Sequence, residues 1–98
     1  MLKVNRKLHR VENIETGATT KSFGEHQWSL ICALEDCDGE FLTMDRIAHI
    51  LAEGDISVYA VHGVAKRLRK RIKLISEREH IFSTRMVGFR LDKVGEAK

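Results

Sequence analysis

The sequence has no proline, no low-complexity tract and no internal repeat, which leaves neither a solenoid nor a biased linker as an organising principle. Aromatic residues are few, six among 98, so the core must be modest. That size suits a small binding module better than an enzyme with a deep cleft. No apolar run approaches the roughly 18 residues needed to span a membrane. The opening Met1-Leu2-Lys3-Val4-Asn5-Arg6-Lys7 has no apolar stretch behind its charges, so it does not read as a secretory signal, and the expected compartment is the cytoplasm. Cysteine is limited to Cys32 and Cys37. Five positions apart in one expected helix, they point from different faces, which favours neither a disulfide nor a metal pair.

What is present is ordinary in amount and uneven in placement. A hydrophobic fraction of 43% and a charged fraction of 32% describe one globular domain, expected to fill residues 1–98 with a core over about 18–92 and a frayed tail over 94–98. The net charge is only +3. Between Phe23 and Asp55, however, there are eight acids and one base, Arg46. Between Ile56 and Ser76 there are six bases and no acid. A chain divided this way has one side suited to a polyanion and another that would be repelled by it.

The expected order of elements is a short sheet, two helices, a long helix and a hairpin. Residues 7–11 and 18–23 read as a small antiparallel pair around a turn at Glu15-Thr16-Gly17. Ser22-Phe23-Gly24-Glu25 has the pattern of a capping box, followed by Trp28, Ile31, Cys32 and Leu34 on a first helix ending near Asp38-Gly39. Glu40-Phe41-Leu42 is a short link with strand character. Thr43 can cap a second helix whose inner stripe is Met44, Ile47, Ala48 and Leu51, with Gly54 as its stop. Ser57 caps a third helix reaching Ser76, and residues 80–84 and 88–92 alternate as two strands. Such an α+β arrangement is that of a winged helix-turn-helix.

The third helix repays an angular reading. At about 100° per residue from Val61, the residues Val58, Val61, Val64, Ala65, Leu68, Ile72 and Ile75 fall within about 60° of Val61 on either side. Tyr59, His62, Gly63, Lys66, Lys70 and Lys73 occupy the far side, at about 100–200°. Arg69 lies at one border, and Arg67 and Arg71 towards the other. Solvated faces commonly mix signs to gain i,i+4 pairs. Here Lys66 with Lys70, and Arg67 with Arg71, are like charges four apart, a repulsion that a phosphate backbone would offset. An inserted helix meets base edges near its N-terminal half and phosphates further along. Tyr59, His62 and Lys66 are therefore the base-edge candidates, and Arg67, Arg69, Lys70 and Lys73 the backbone candidates, with Arg67 fitting either group.

Two signatures taken together resemble a known family. Lys66-Arg67-Leu68-Arg69-Lys70-Arg71-Ile72, followed by Ile81-Phe82-Ser83-Thr84-Arg85-Met86-Val87-Gly88-Phe89-Arg90-Leu91, is similar to the C-terminal effector domain of OmpR/PhoB-type response regulators. That family carries an RRLRKKL-like recognition-helix ending and a wing resembling TVRGVGYRL. The likeness runs from about Ala18 to Asp92. It implies sequence-dependent binding of double-stranded DNA in transcription control, with the helix of about 57–75 in the major groove and a wing of about 80–92 at the minor groove. By position Tyr59, Lys66, Arg67 and Arg69 match the family's helix contacts, and Arg85 its wing arginine, whose natural target is the negative potential of a narrow minor groove.

The chain departs from the pattern at Phe89, where a tyrosine is usual, and at Met86, where glycine is frequent. The short Glu53-Gly54-Asp55-Ile56 link lacks the usual tryptophan, which weighs against activation of transcription. With no receiver domain expected ahead of the effector-like region, an aspartate phosphorylation switch is not expected in this chain. The implied partners are duplex DNA, RNA polymerase or another regulator, and a second copy of the chain on DNA; no membrane is implied. The competing reading is a protein-interaction module on the same fold, an adaptor or anti-regulator docking through the acid-rich first two helices. A third is coating of duplex or RNA by charge alone. The five histidines have no ligand spacing, so no metal, no cofactor and no catalysis are expected.

Overall fold

A computed structural model describes residues 2–52, 57–84 and 87–92. Its first elements, β1 (Leu2–Asn5) and β2 (Arg10–Asn13), form a two-stranded antiparallel sheet with Leu2 opposite Asn13 and Asn5 opposite Arg10. This corrects the expected pairing of 7–11 with 18–23. Leu2 and Val4 alternate with Lys3 and Asn5, and both apolar side chains are buried beside Val11. The reversal between the strands uses His9 at φ 52° and the Asn5 side-chain oxygen, which accepts from the Leu8 amide at 3.1 Å. The core therefore extends to Leu2 rather than starting near residue 18. The Glu15–Gly17 turn is formed as expected, with Gly17 at φ 78°. After it the chain runs beside β2 through a single bridge from Thr19 to Glu12, with the Asn13 amide donating to the Ala18 carbonyl at 2.8 Å and two bonds between Thr20 and Val11.

Helix α1 (Glu25–Asp36) begins after Gly24, which is extended, and no side chain caps it. The expected Ser22–Glu25 box is not formed, because Glu25 is already the first helical residue. The preceding segment is held extended instead: Phe23 is buried, and Arg71 donates to the carbonyls of Lys21 and Ser22 at 2.8 and 3.0 Å. Leu30, Ile31 and Leu34 form the buried face of α1, with Trp28 and Cys32 packed at its margin. Leu30 was absent from the expected stripe.

Strand β3 (Leu42–Thr43) leads directly into α2 (Met44–Ala52). Thr43 caps it as expected, its Oγ1 accepting from the Arg46 amide at 3.3 Å. Ile47 and Leu51 are buried, and Met44 packs beside them. Gly54 and the rest of the 53–56 link lie outside the described residues. Helix α3 (Val58–Lys73) is capped by Ser57, whose Oγ accepts from the Ala60 amide at 3.1 Å. Val61, Val64, Ala65, Leu68, Ile72 and Ile75 are all buried, and the larger of them each contribute roughly 1.5–3 kcal/mol.

Strands β4 (Ile81–Thr84) and β5 (Gly88–Leu91) form the closing hairpin, and β3 adds to it in the order β3-β5-β4. Gly88 is required where β5 crosses β3. Its φ is 153°, and a Cβ there would lie 2.0 Å from the Leu42 carbonyl oxygen. Ile81, Phe89 and Leu91 turn inward onto the helices. Among the described residues no helix is long and apolar enough to cross a membrane.

Candidate nucleic-acid interface

The core stripe of α3 leaves its opposite side to solvent. Tyr59 is 90% exposed, and His62, Lys66, Arg67 and Lys70 are exposed along the same helix. Among the described residues Lys66, Arg67 and Lys70 have no hydrogen-bond or ion-pair partner. Gly63 lies one turn before Lys66 and Arg67, and a Cβ there would meet only the guanidinium end of Arg67, at 3.4 Å. The helix surface is thus open to an approaching ligand at that turn.

The other bases of α3 are engaged. Arg69, half-buried, donates from Nε and Nη2 to the Ile81 carbonyl at 3.2 and 2.9 Å. Lys73 pairs with Glu79 at 2.7 Å and holds its carboxyl below the ordinary range. With about half of each side chain exposed, that pair is easily exchanged for another anion. Lys66, Arg69, Lys70, Lys73 and Glu79 line one open cleft. Arg71 faces away from it, over the Phe23 ring at 4.3 Å. The charge run visible in the sequence is therefore three open cations, one exchangeable pair and two bound guanidinium groups.

The polar groups at the end of α3 form a separate, buried junction. His80 is held between Ser76 Oγ, 2.8 Å from Nε2, and Asp92, 3.0 Å from Nδ1, while Arg78 pairs with the same carboxylate. Sequence reasoning gave none of these residues a role, since their meeting depends on how the hairpin returns. No group of three or more histidine, cysteine or acidic residues is placed to hold a metal among the described residues. Cys32 and Cys37 are free thiols, and burial pushes Cys32 up.

In a comparison with solved structures, the DNA-binding domain of the response regulator AdeR, in complex with an intercistronic region, superposes with a TM-score of 0.78. It is 17% identical, and the match covers 94% of each chain. The fold is a winged helix-turn-helix. The DNA-binding domain of Escherichia coli CadC gives 0.77 at 17% identity, covering 94% of this chain and 86% of that one. The Klebsiella pneumoniae RstA DNA-binding domain, in complex with the RstA box, gives 0.72 at 16%, covering 93% and 90%. At these identities the shared property is the fold, which agrees with the resemblance to OmpR/PhoB-type effector domains. No protein-family model matches the chain, and no curated protein matches its sequence.

In this winged helix the hairpin β4–β5 is the wing. His62 reaches it from α3, its ring meeting Phe89 edge-on at 5.6 Å. Phe89 is 2% exposed, so in this chain the ring at that position belongs to the core. Arg85, the expected wing arginine, lies outside the described residues, as does Met86. Sequence reasoning missed Arg90, whose guanidinium lies 4.9 Å over the Phe82 ring on the wing. The only sequence signal for it was its place in the alternation, beside inward-facing Phe89 and Leu91.

Proposed function

We propose that this winged helix binds double-stranded DNA and acts as a regulator of transcription. The observation that carries the reading is the set Lys66, Arg67 and Lys70, without a partner among the described residues, on the exposed side of a capped, well-anchored helix. Three like charges held close together repel one another, and a row of phosphates offsets that repulsion. The AdeR and RstA domains, which share the fold, are bound to DNA in their structures. In this reading α3 enters the major groove, with Tyr59, His62 and Lys66 nearest the base edges. Arg67, Lys70 and Lys73 meet phosphates, Lys73 by exchanging Glu79 for a phosphate oxygen. The wing lies over the neighbouring minor groove, where Arg85 is its contact.

Selection from a random duplex pool with the purified protein tests this directly. The expected result is an enriched motif, preferred over random duplex by about 10³ or more. Retention of all duplexes equally would reduce the activity to coating by charge. No retention at low salt would overturn the reading, and recovery of a protein partner in its place would favour an interaction module.

A further inference from the structure

We infer that Arg69 is a positioning residue that fixes the wing against α3, and that it is not one of the phosphate ligands; this rests on the DNA-binding reading above. Both donors of Arg69 meet a single acceptor, the Ile81 carbonyl, at 3.2 and 2.9 Å. That acceptor needs a partner from outside the sheet. The strand order β3-β5-β4 leaves β4 at an edge, and the His80 carbonyl accepts from the Asp92 amide at 2.9 Å. Antiparallel bonding alternates along a strand, so the carbonyl of Ile81, the next residue, points away from β5. A guanidinium supplies two N–H groups in a fixed plane and covers the edge at that point.

The position of Arg69 on the helix fits that role. By the angular reading, His62 and Arg69 lie about 80–100° from the core centre, and Lys73 lies at about 120°. All three touch the wing or the segment leading into it: His62 on Phe89, Arg69 on Ile81 and Lys73 on Glu79. The Ser76–His80 bond continues the same line past the end of the helix. Between the buried stripe and the open basic face there is thus a third stripe, a seam along which wing and helix are joined. Arg69 is the half-buried member of the seam with two bonds to main chain, whereas the Lys73–Glu79 pair is exposed. A phosphate could draw Lys73 off its partner at little loss. Drawing Arg69 off would leave the Ile81 carbonyl without its partner.

The test compares Arg69→Met and Lys70→Met on a 20-base-pair duplex of random sequence and on any selected site, titrated from low to high salt, with unfolding curves for each protein. Lys70→Met is expected to reduce the log-log salt slope by about 0.9, as the loss of one phosphate contact does. Arg69→Met is expected to weaken binding by roughly five- to twenty-fold, the effect of losing one coupling between adjacent elements, with the slope unchanged. In the unsubstituted protein, the Arg69 Nε–H resonance should exchange slowly with water before DNA is added and keep its shift afterwards. A slope that falls equally in both variants would overturn the proposal. So would an Arg69 Nε–H signal that moves on DNA binding, a readout that stands even where Arg69→Met fails to fold. Failure of the unsubstituted protein to retain duplex at low salt would instead remove the DNA-binding reading, while slow Nε–H exchange would still show the strut.

Discussion

The strands of the first hairpin and those of the wing are all four residues long, yet the two hairpins are fastened by different means. The first is a sheet of its own, placing Leu2, Val4 and Val11 against the helices and adding polar hooks. Arg6 bonds Glu35, Asp36 and the Cys32 carbonyl; His9 stacks on Trp28 at 4.7 Å; Asn13 donates to the Ile75 carbonyl at 2.8 Å. The wing gains a third strand from β3 and buries Ile81, Phe89 and Leu91. Its polar fastening runs to α3, the helix that carries the open cations. Charge is satisfied within the fold at the first hairpin and left open beside the wing. Arg6 neutralises acids at the end of α1, whereas no described residue matches the charge of Lys66, Arg67 or Lys70.

Substitutions that remove one fastening at a time sharpen this contrast. Phe89→Ala should be the most damaging, lowering stability by about 3–5 kcal/mol because it empties the site where wing and helices meet. Its effect is read by thermal or denaturant unfolding. Asn13→Ala comes next, at about 1–3 kcal/mol, since it strands the buried Ile75 carbonyl. Equal effects from these two would mean that the first hairpin is anchored as strongly as the wing. Arg6→Ala removes more bonds than either, but from an exposed site, and should change stability by only about 0–1 kcal/mol, less in high salt. Smallest is the Lys73–Glu79 pair. Because the folded carboxyl titrates below its ordinary value of 4.5, the pair's contribution is present above that pH. It is lost as pH falls through the lowered value, which an acid titration of Glu79→Gln against the unsubstituted protein would isolate.

How much of this was legible in the sequence depends on how local each cause is. Thr43 and Ser57 were readable as caps because the acceptor and the amide it serves are three residues apart. The buried stripe of α3 from Val61 to Ile75 followed from periodicity alone, while the Val58 side chain lies outside the described residues. Strand β1 was missed, since Leu2 and Val4 are two apolar residues among charged ones and gain meaning only from the α1 surface they cover. The Ser22–Glu25 box failed for the opposite reason. Its local pattern was right, but the burial of Phe23 and the pull of Arg71, 49 residues from Ser22, prevailed. Arg69 lies between these cases. Its border angle was visible, while its acceptor, twelve residues away, depends on the path of the wing.

In the proposed function the open face of α3 binds duplex DNA through charge that no described residue matches. The most direct measurement is the salt dependence of duplex affinity for the unsubstituted protein and for a combined Lys66→Ala, Arg67→Ala, Lys70→Ala variant, whose fold is checked by its unfolding curve. The expected result is a linear fall of log affinity with log salt, and a variant that binds far more weakly with a slope reduced by about 2–3. Affinity independent of salt, or a folded triple variant that binds as the unsubstituted protein does, would contradict it.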